Sequence, residues 1–266
     1  MMWVNSTHHK QDGMPTDELI IRLFCMVDDE LGNVNKRSDA HLYPSEIVTI
    51  GLLFSLKGGR FRAFYRFLDQ NYRAWFPALP ERTRLQRLLR DHAEDTLPFL
   101  AEATFFTVVD TYGIELIHPR REGRSPQQIG RKGKSNGRSL VGIKLAWLIN
   151  DQGEVVDWSW LPANEHDNAF RPLASGYDGK TIALADQGFR EKDAPPSNIK
   201  LCERGTWNER FTIETNLSWV TELFHAKKLY HRVTSHLEAR LWYLAALINC
   251  LLRLTEHKRS LAEFVI

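Results

Sequence analysis

Thr181-Ile182-Ala183-Leu184-Ala185-Asp186-Gln187-Gly188-Phe189 is the stretch that decides the fold. Its apolar run ends in a carboxylate, and a glycine follows two residues later. That is the pattern of a buried strand that delivers an acid to the edge of a sheet. Phe105-Phe106-Thr107-Val108-Val109-Asp110 repeats the design earlier in the chain. Arg210-Phe211-Thr212-Ile213-Glu214 adds a third acid at the start of a helical pattern. Two strand-borne aspartates and one helix-borne glutamate have the donor chemistry to hold two divalent metals for phosphoryl transfer.

Outward from these stretches, the pattern divides the chain. Before residue 100 the periodicity is helical: Thr16 to Val27, Pro44 to Leu56, Phe61 to Asn71 and Glu81 to His92. From Phe105 it changes. Phe105–Asp110 and Gly113–Ile117 read as an opening hairpin or one bulged strand. Leu140–Asn150 and Glu154–Leu161 read as a hairpin around Asp151-Gln152-Gly153. Thr181–Asp186 and Asn198–Cys202 are further strands, and helices close the chain over about 208–224 and 235–254. The fold class predicted is α/β, a mixed sheet with flanking helices preceded by a helical unit. Residues 1–100 form that helical unit and 101–266 the sheet-bearing one.

The charge is nearly balanced at +2, so the distribution of charge must carry any nucleic-acid argument. Arg and Lys gather in two places. One is the helical unit from Lys57 to Arg90, where aromatics interleave. The other is His118 to Arg138, read as a long basic loop holding Arg131, Lys132, Lys134 and Arg138. Such cations can neutralise backbone phosphates, although a solvated amphipathic surface gives the same pattern. The three cysteines are far apart and form no CxxC, so they read as buried thiols in a reducing compartment. The longest apolar stretch, Leu241–Leu254, contains Asn249 and Arg253 and is too short to span a bilayer. With no signal-peptide pattern, the expectation is a soluble cytoplasmic protein.

For each acid alone the ordinary explanation is strong: a turn-forming Asp, a solvated Glu. As an ordered set they are more specific. Together with Gly142-Ile143-Lys144-Leu145, Pro162-Ala163-Asn164-Glu165-His166-Asp167 and Ala185-Asp186-Gln187-Gly188-Phe189, the chain resembles the insertion-sequence DDE transposases. That family often writes its last motif as a Tyr, an Arg, the Glu and then a Lys. Here Trp207, Arg210, Glu214 and Thr221 stand in those places, with Lys227 or Lys228 near enough to replace the Lys. The resemblance implies an RNase H-like catalytic core over 101–266 and a DNA-binding role for 1–100. It implies Mg²⁺ or Mn²⁺ in a two-metal site held by Asp110, Asp186 and Glu214, with Arg210 on a phosphate. The partner implied is double-stranded DNA, both element ends and target, bound by a homodimer. The reaction implied is phosphodiester hydrolysis at the element's end, then attack of the freed 3′-hydroxyl on target DNA. A stand-alone nuclease on the same core, and a DNA-binding remnant without catalysis, remain open alternatives. Asp167 reads as a structural turn acid rather than a further ligand.

Overall fold

In the computed structural model, residues 14–34, 36, 38–135, 137–192, 197–203 and 210–257 are described, the backbone alone for 210–212. Four helices come first: α1 (Thr16–Leu31), α2 (Pro44–Lys57), α3 (Phe61–Asn71) and α4 (Arg82–Asp91). Each has a sequence reason. Pro44 opens α2 where its missing N–H costs nothing, and Glu46 accepts a hydrogen bond from the Tyr43 backbone N–H at 2.7 Å. Almost every side chain of α2 is buried, so it is the inner helix of this layer. α3 and α4 are narrower, burying Phe64 and Leu68, and Leu85 and Leu89, while most of their arginines face water.

The first strand among the described residues is β1 (Phe106–Ile117), so the change of period near residue 105 is a change of structure. β2 (Arg131–Ser135), β3 (Arg138–Asn150), β4 (Val155–Pro162), β5 (Ile182–Ala185) and β6 (Ile199–Leu201) complete one mixed sheet. Its order is β2-β3-β1-β5-β6, with β4 also paired to β3. The registers explain how three strands share β3. β2 takes Arg138–Gly142 and β4 takes Ile143–Ile149, end to end, while β1 runs antiparallel along the opposite edge. β5 pairs parallel with β1, and β6 parallel with β5. β1 is a single strand with a register shift between Glu115 and Ile117, the bulged alternative of the sequence reading.

Two expectations need correction. The basic segment 118–138 is not one loop, because Arg131–Ser135 is a strand paired with the start of β3. Its sequence, Arg-Lys-Gly-Lys-Ser, has no apolar residue, so no alternation could reveal it. Backbone contact holds it instead. A Cβ on Gly133 would lie 1.8 Å from the carbonyl oxygen of Ala163, so only glycine fits that approach. The cysteine reading is the second: Cys202 and Cys250 are buried, but Cys25 is exposed. On α1 the buried stripe is Leu19, Ile20, Leu23, Val27 and Leu31, and Cys25 falls off it.

Alternation along the strands gives the sheet two cores. Val108, Ile143, Leu145, Trp147, Ile149 and Leu184 belong to the larger cluster, which continues without a break into α1–α4 and the two last helices. These are α6 (Arg210–Glu222) and α7 (Thr234–Leu254). Val109, Ala146, Leu148, Ala183 and Ala185 face the other way, under Phe170, Ala174 and Phe189. Ala174 lies on the short α5 (Arg171–Ser175). α7 is the central helix of the larger core, buried at all positions from Leu237 to Leu252 except Glu238 and Trp242 and packed on α2, α4 and β4. Among the described residues no helix is long and apolar enough to cross a membrane.

Candidate functional site

β1 and β5 place the first two acids. Their parallel register ends at Val109↔Ala185, so Asp110 and Asp186 are the next residues on adjacent strands. Neighbouring strands run roughly 5 Å apart, so the two aspartates lie side by side. β5 ends there, but β1 runs on to Ile117 with Asp110 paired to Trp147, so Asp110 lies inside its strand and not at the strand end that the sequence suggested. Both are half-buried. Asp186 caps the turn that follows, its Oδ1 accepting a hydrogen bond from the Gly188 N–H at 2.8 Å. By alternation Asp110 returns to the face of Val108 and Tyr112, the face that α6 covers.

The third acid comes from above that face. The Tyr112 hydroxyl meets Thr221 Oγ1, which ties the end of α6 to β1. Farther on, Lys228 pairs with Glu115 at 2.6 Å, and the backbone there runs parallel to β1. From Thr221 to Lys228 the chain therefore travels in the direction of β1. Asn216 of α6 donates to the carbonyl of Gly153, in the turn that follows Asn150, the partner of Thr107, so going back along α6 leads from Tyr112 toward the Asp110 end of β1. Glu214 is two turns before Thr221, on the same helical face, about 10 Å back along the axis. Glu214 is exposed. Among the described residues no group of three His, Cys, Asp or Glu stands close enough to hold a metal ion. The structure thus brings Asp110 and Asp186 together and sets Glu214 on the helix that crosses their side, without closing the three into one cluster.

A fourth acid is closer than the sequence suggested. Asp167 Oδ1 accepts hydrogen bonds from Lys144 Nζ at 2.8 Å and Thr111 Oγ1 at 3.0 Å. Its Oδ2 and the Oδ1 of Asp186 are each 2.9 Å from where a Cβ would sit on Gly188. The two carboxylates can be no farther apart than twice that distance. Gly188 keeps the space between them open, and hard oxygen donors around an open space suit a divalent cation such as Mg²⁺ or Mn²⁺. Lys144, 8% exposed, was legible in principle: it is the one charged residue between Leu140 and Ile149, and a charge in an apolar strand must be paired. Lys144→Met is expected to lower stability by about 1–3 kcal/mol by stranding Asp167. Adding Asp167→Asn should restore part of it, as read by urea unfolding.

No protein-family model matches the chain, and no curated protein or solved structure matches it either.

The remaining residues of the sequence reading are scattered around this centre. In the β2–β3 ladder Lys132 lies opposite Val141 and Lys134 opposite Ser139, on the face of Ile143 and hence of α6. Arg131, opposite Gly142, lies on the other face, and Arg138 follows the alternation there too. Arg131, Lys132, Lys134 and Arg138 are all exposed. Val141 is six β3 residues from Trp147, the partner of Asp110, so Lys132 is about 20 Å from Asp110 along the sheet. Lys228, one of the two substitutes named for the family's Lys, is engaged by Glu115. Trp207 and the side chain of Arg210 lie outside the described residues.

Proposed function

We propose that the chain is a DNA transposase of the insertion-sequence DDE type, with an RNase H-like core. The observation that carries this reading is the side-by-side placement of Asp110, within β1, and Asp186, just past the end of the parallel β5, with α6, the helix that carries Glu214, tied to the same face of β1. The sheet order supports it: an antiparallel β4-β3-β1 meander continued by parallel β5 and β6, with the acids at the β1–β5 junction. Asp186 stands just outside the carboxyl end of β5, where ligands of open α/β sheets gather. The helices before residue 100 and the basic β2–β3 ribbon are the surfaces assigned to DNA, and the assembly on DNA is a homodimer.

Asp110 and Asp186 would hold Mg²⁺ or Mn²⁺, and Glu214 would join them when DNA is bound. When bound, such ions activate an attacking oxygen and stabilise a leaving one in phosphoryl transfer. The residues of the chain do the rest. The three carboxylates bring negative charge to one place on the sheet, beside the end of β5, and cannot approach a phosphate without cations between. Gly188 keeps room there. Lys144 takes Oδ1 of Asp167 and offsets its charge beside Asp186, leaving Oδ2 toward the space over Gly188. Lys132 and Lys134 sit about one duplex width away on the same face, where they can fix the backbone.

The test is to incubate the purified chain with Mg²⁺ and duplexes from the DNA flanking its reading frame. Nicks that leave 3′-hydroxyls, followed by joining to a target plasmid, are expected. Nicking without joining would favour the stand-alone nuclease, and neither would sink both. The basic ribbon makes a separate prediction. Changing Arg131, Lys132 and Lys134 to Ala should weaken duplex binding and flatten the plot of log affinity against log salt by about 2–3. An unchanged slope would reduce the ribbon to solvated surface.

A further inference from the structure

Away from the acids, a small cavity lies among α2, α3, α4 and α7, lined in part by Phe54, Phe61, Arg90, His231, His236 and Arg240. Arg240 is its anomaly. The residue is 2% exposed, yet among the described residues it has no acid beside it. Nη2 donates to the carbonyl of Ser55 at 3.3 Å, and the Phe54 ring covers one face of the guanidinium at 4.0 Å. Nε and Nη1 have no hydrogen-bond partner, nor has the buried Nδ1 of His231. Buried polar groups are nearly always paired, and a buried charge without a counter-charge is strongly unfavourable. The neighbours add to the imbalance. Arg90 stands at the rim, and the nearby Asp91 is already taken by it at 2.6 Å. Burial, with the charge of Arg240, pushes His231 down to about 3, so it is neutral near pH 7. Burial pushes Arg240 down only to about 9, so its charge persists there.

Water could fill the unused hydrogen bonds but would leave the charge. An anion does both. The cavity measures about 30 Å³, where about 10–15 Å³ on this measure holds one water, so a phosphate group is the most that enters it and any sugar or base stays outside. We propose that this cavity is a binding site for a single phosphate-class oxyanion, held by the unused donors of Arg240 with Arg90 at the mouth. The source is either free inorganic phosphate or a phosphodiester of a nucleic-acid backbone. The proposal does not depend on the activity assigned above.

Thermal unfolding of the whole chain at pH 7, in sodium phosphate against sodium chloride at matched ionic strength, tests it. A ligand bound only by the folded state raises Tm saturably, here by about 3–5 °C at tenfold excess over its dissociation constant. Phosphate is expected to do this and chloride is not. Arg240→Met keeps the packing of the stem and should lose the phosphate-dependent rise. Arg90→Gln, at the rim, should fold normally and need several-fold more phosphate for half the rise, so it decides the matter if Arg240→Met fails to fold. Dimethyl phosphate separates the sources. A rise with both compounds points to a backbone phosphodiester, and a rise with inorganic phosphate alone points to the free ion. The proposal is overturned by no saturable rise in the wild type, by an equal rise with chloride, or by an undiminished rise in Arg90→Gln.

Discussion

Asp186→Asn is expected to slow metal-dependent DNA cleavage at least about a thousandfold, which is about 4 kcal/mol of transition-state stabilisation. The substitution keeps the size of the side chain and its hydrogen bond from the Gly188 N–H, which the amide oxygen can still accept. What it removes is one negative charge at the edge of the sheet. A neutral amide oxygen is a much poorer ligand for a hard cation than a carboxylate. Asp110→Asn should do the same, because the two residues lie at the same level on adjacent chain segments. Duplex binding should hold, since the cations assigned to DNA are about 20 Å away along the sheet. The informative comparison is therefore cleavage rate against duplex affinity for each variant. A variant that cuts at the normal rate removes that aspartate from the chemistry. A parallel loss of binding and cleavage would point to misfolding or a binding role.

The second large effect is on stability. Asn249 is fully buried on α7, and all of its side chain is used. Oδ1 accepts from the Val155 N–H at 2.7 Å, and Nδ2 donates to the carbonyls of Val155 at 2.8 Å and Phe99 at 2.9 Å. One amide thus clamps α7 to the start of β4 and to the 3-10 turn Glu94–Phe99 that leads from the helices into the sheet. Leu at this position has nearly the same shape and none of the polar atoms. It would strand the buried Val155 N–H and the Phe99 carbonyl, at about 1–3 kcal/mol each. Asn249→Leu is expected to lose about 3–5 kcal/mol in urea, as a lower midpoint with the same slope. A loss below about 1 kcal/mol would mean that water replaces the clamp.

The clamp also shows what could be read from the sequence and what could not. Asn249 interrupts the apolar run from Leu241 to Leu252, which marks it as a residue with a partner, but nothing local names Val155 or Phe99. The acids at 110 and 186 were legible because an apolar run that stops at a carboxylate is a local signal. Their adjacency was not, because it depends on β5 pairing parallel with β1 across more than seventy residues. The β3–β4 hairpin was legible from its alternation and its Gly153 turn. β2 was not, having only polar residues and glycine to alternate. The helices before residue 100 were legible singly. That their core runs on into α7 and one face of the sheet follows from packing between distant segments, which periodicity does not carry. Lys144 gave the clearest unused signal, a lone charge inside a buried strand.

The central claim is that Asp110, Asp186 and Glu214 serve one divalent-metal site. Anomalous diffraction from crystals of the chain with a duplex and Mn²⁺ tests it most directly. The account predicts manganese between the carboxylates of Asp110 and Asp186, with Glu214 drawn in along α6 to face it. Manganese bound elsewhere, or the three carboxylates still held well over roughly 10 Å apart on DNA, too far for ions about 4 Å apart, would contradict it.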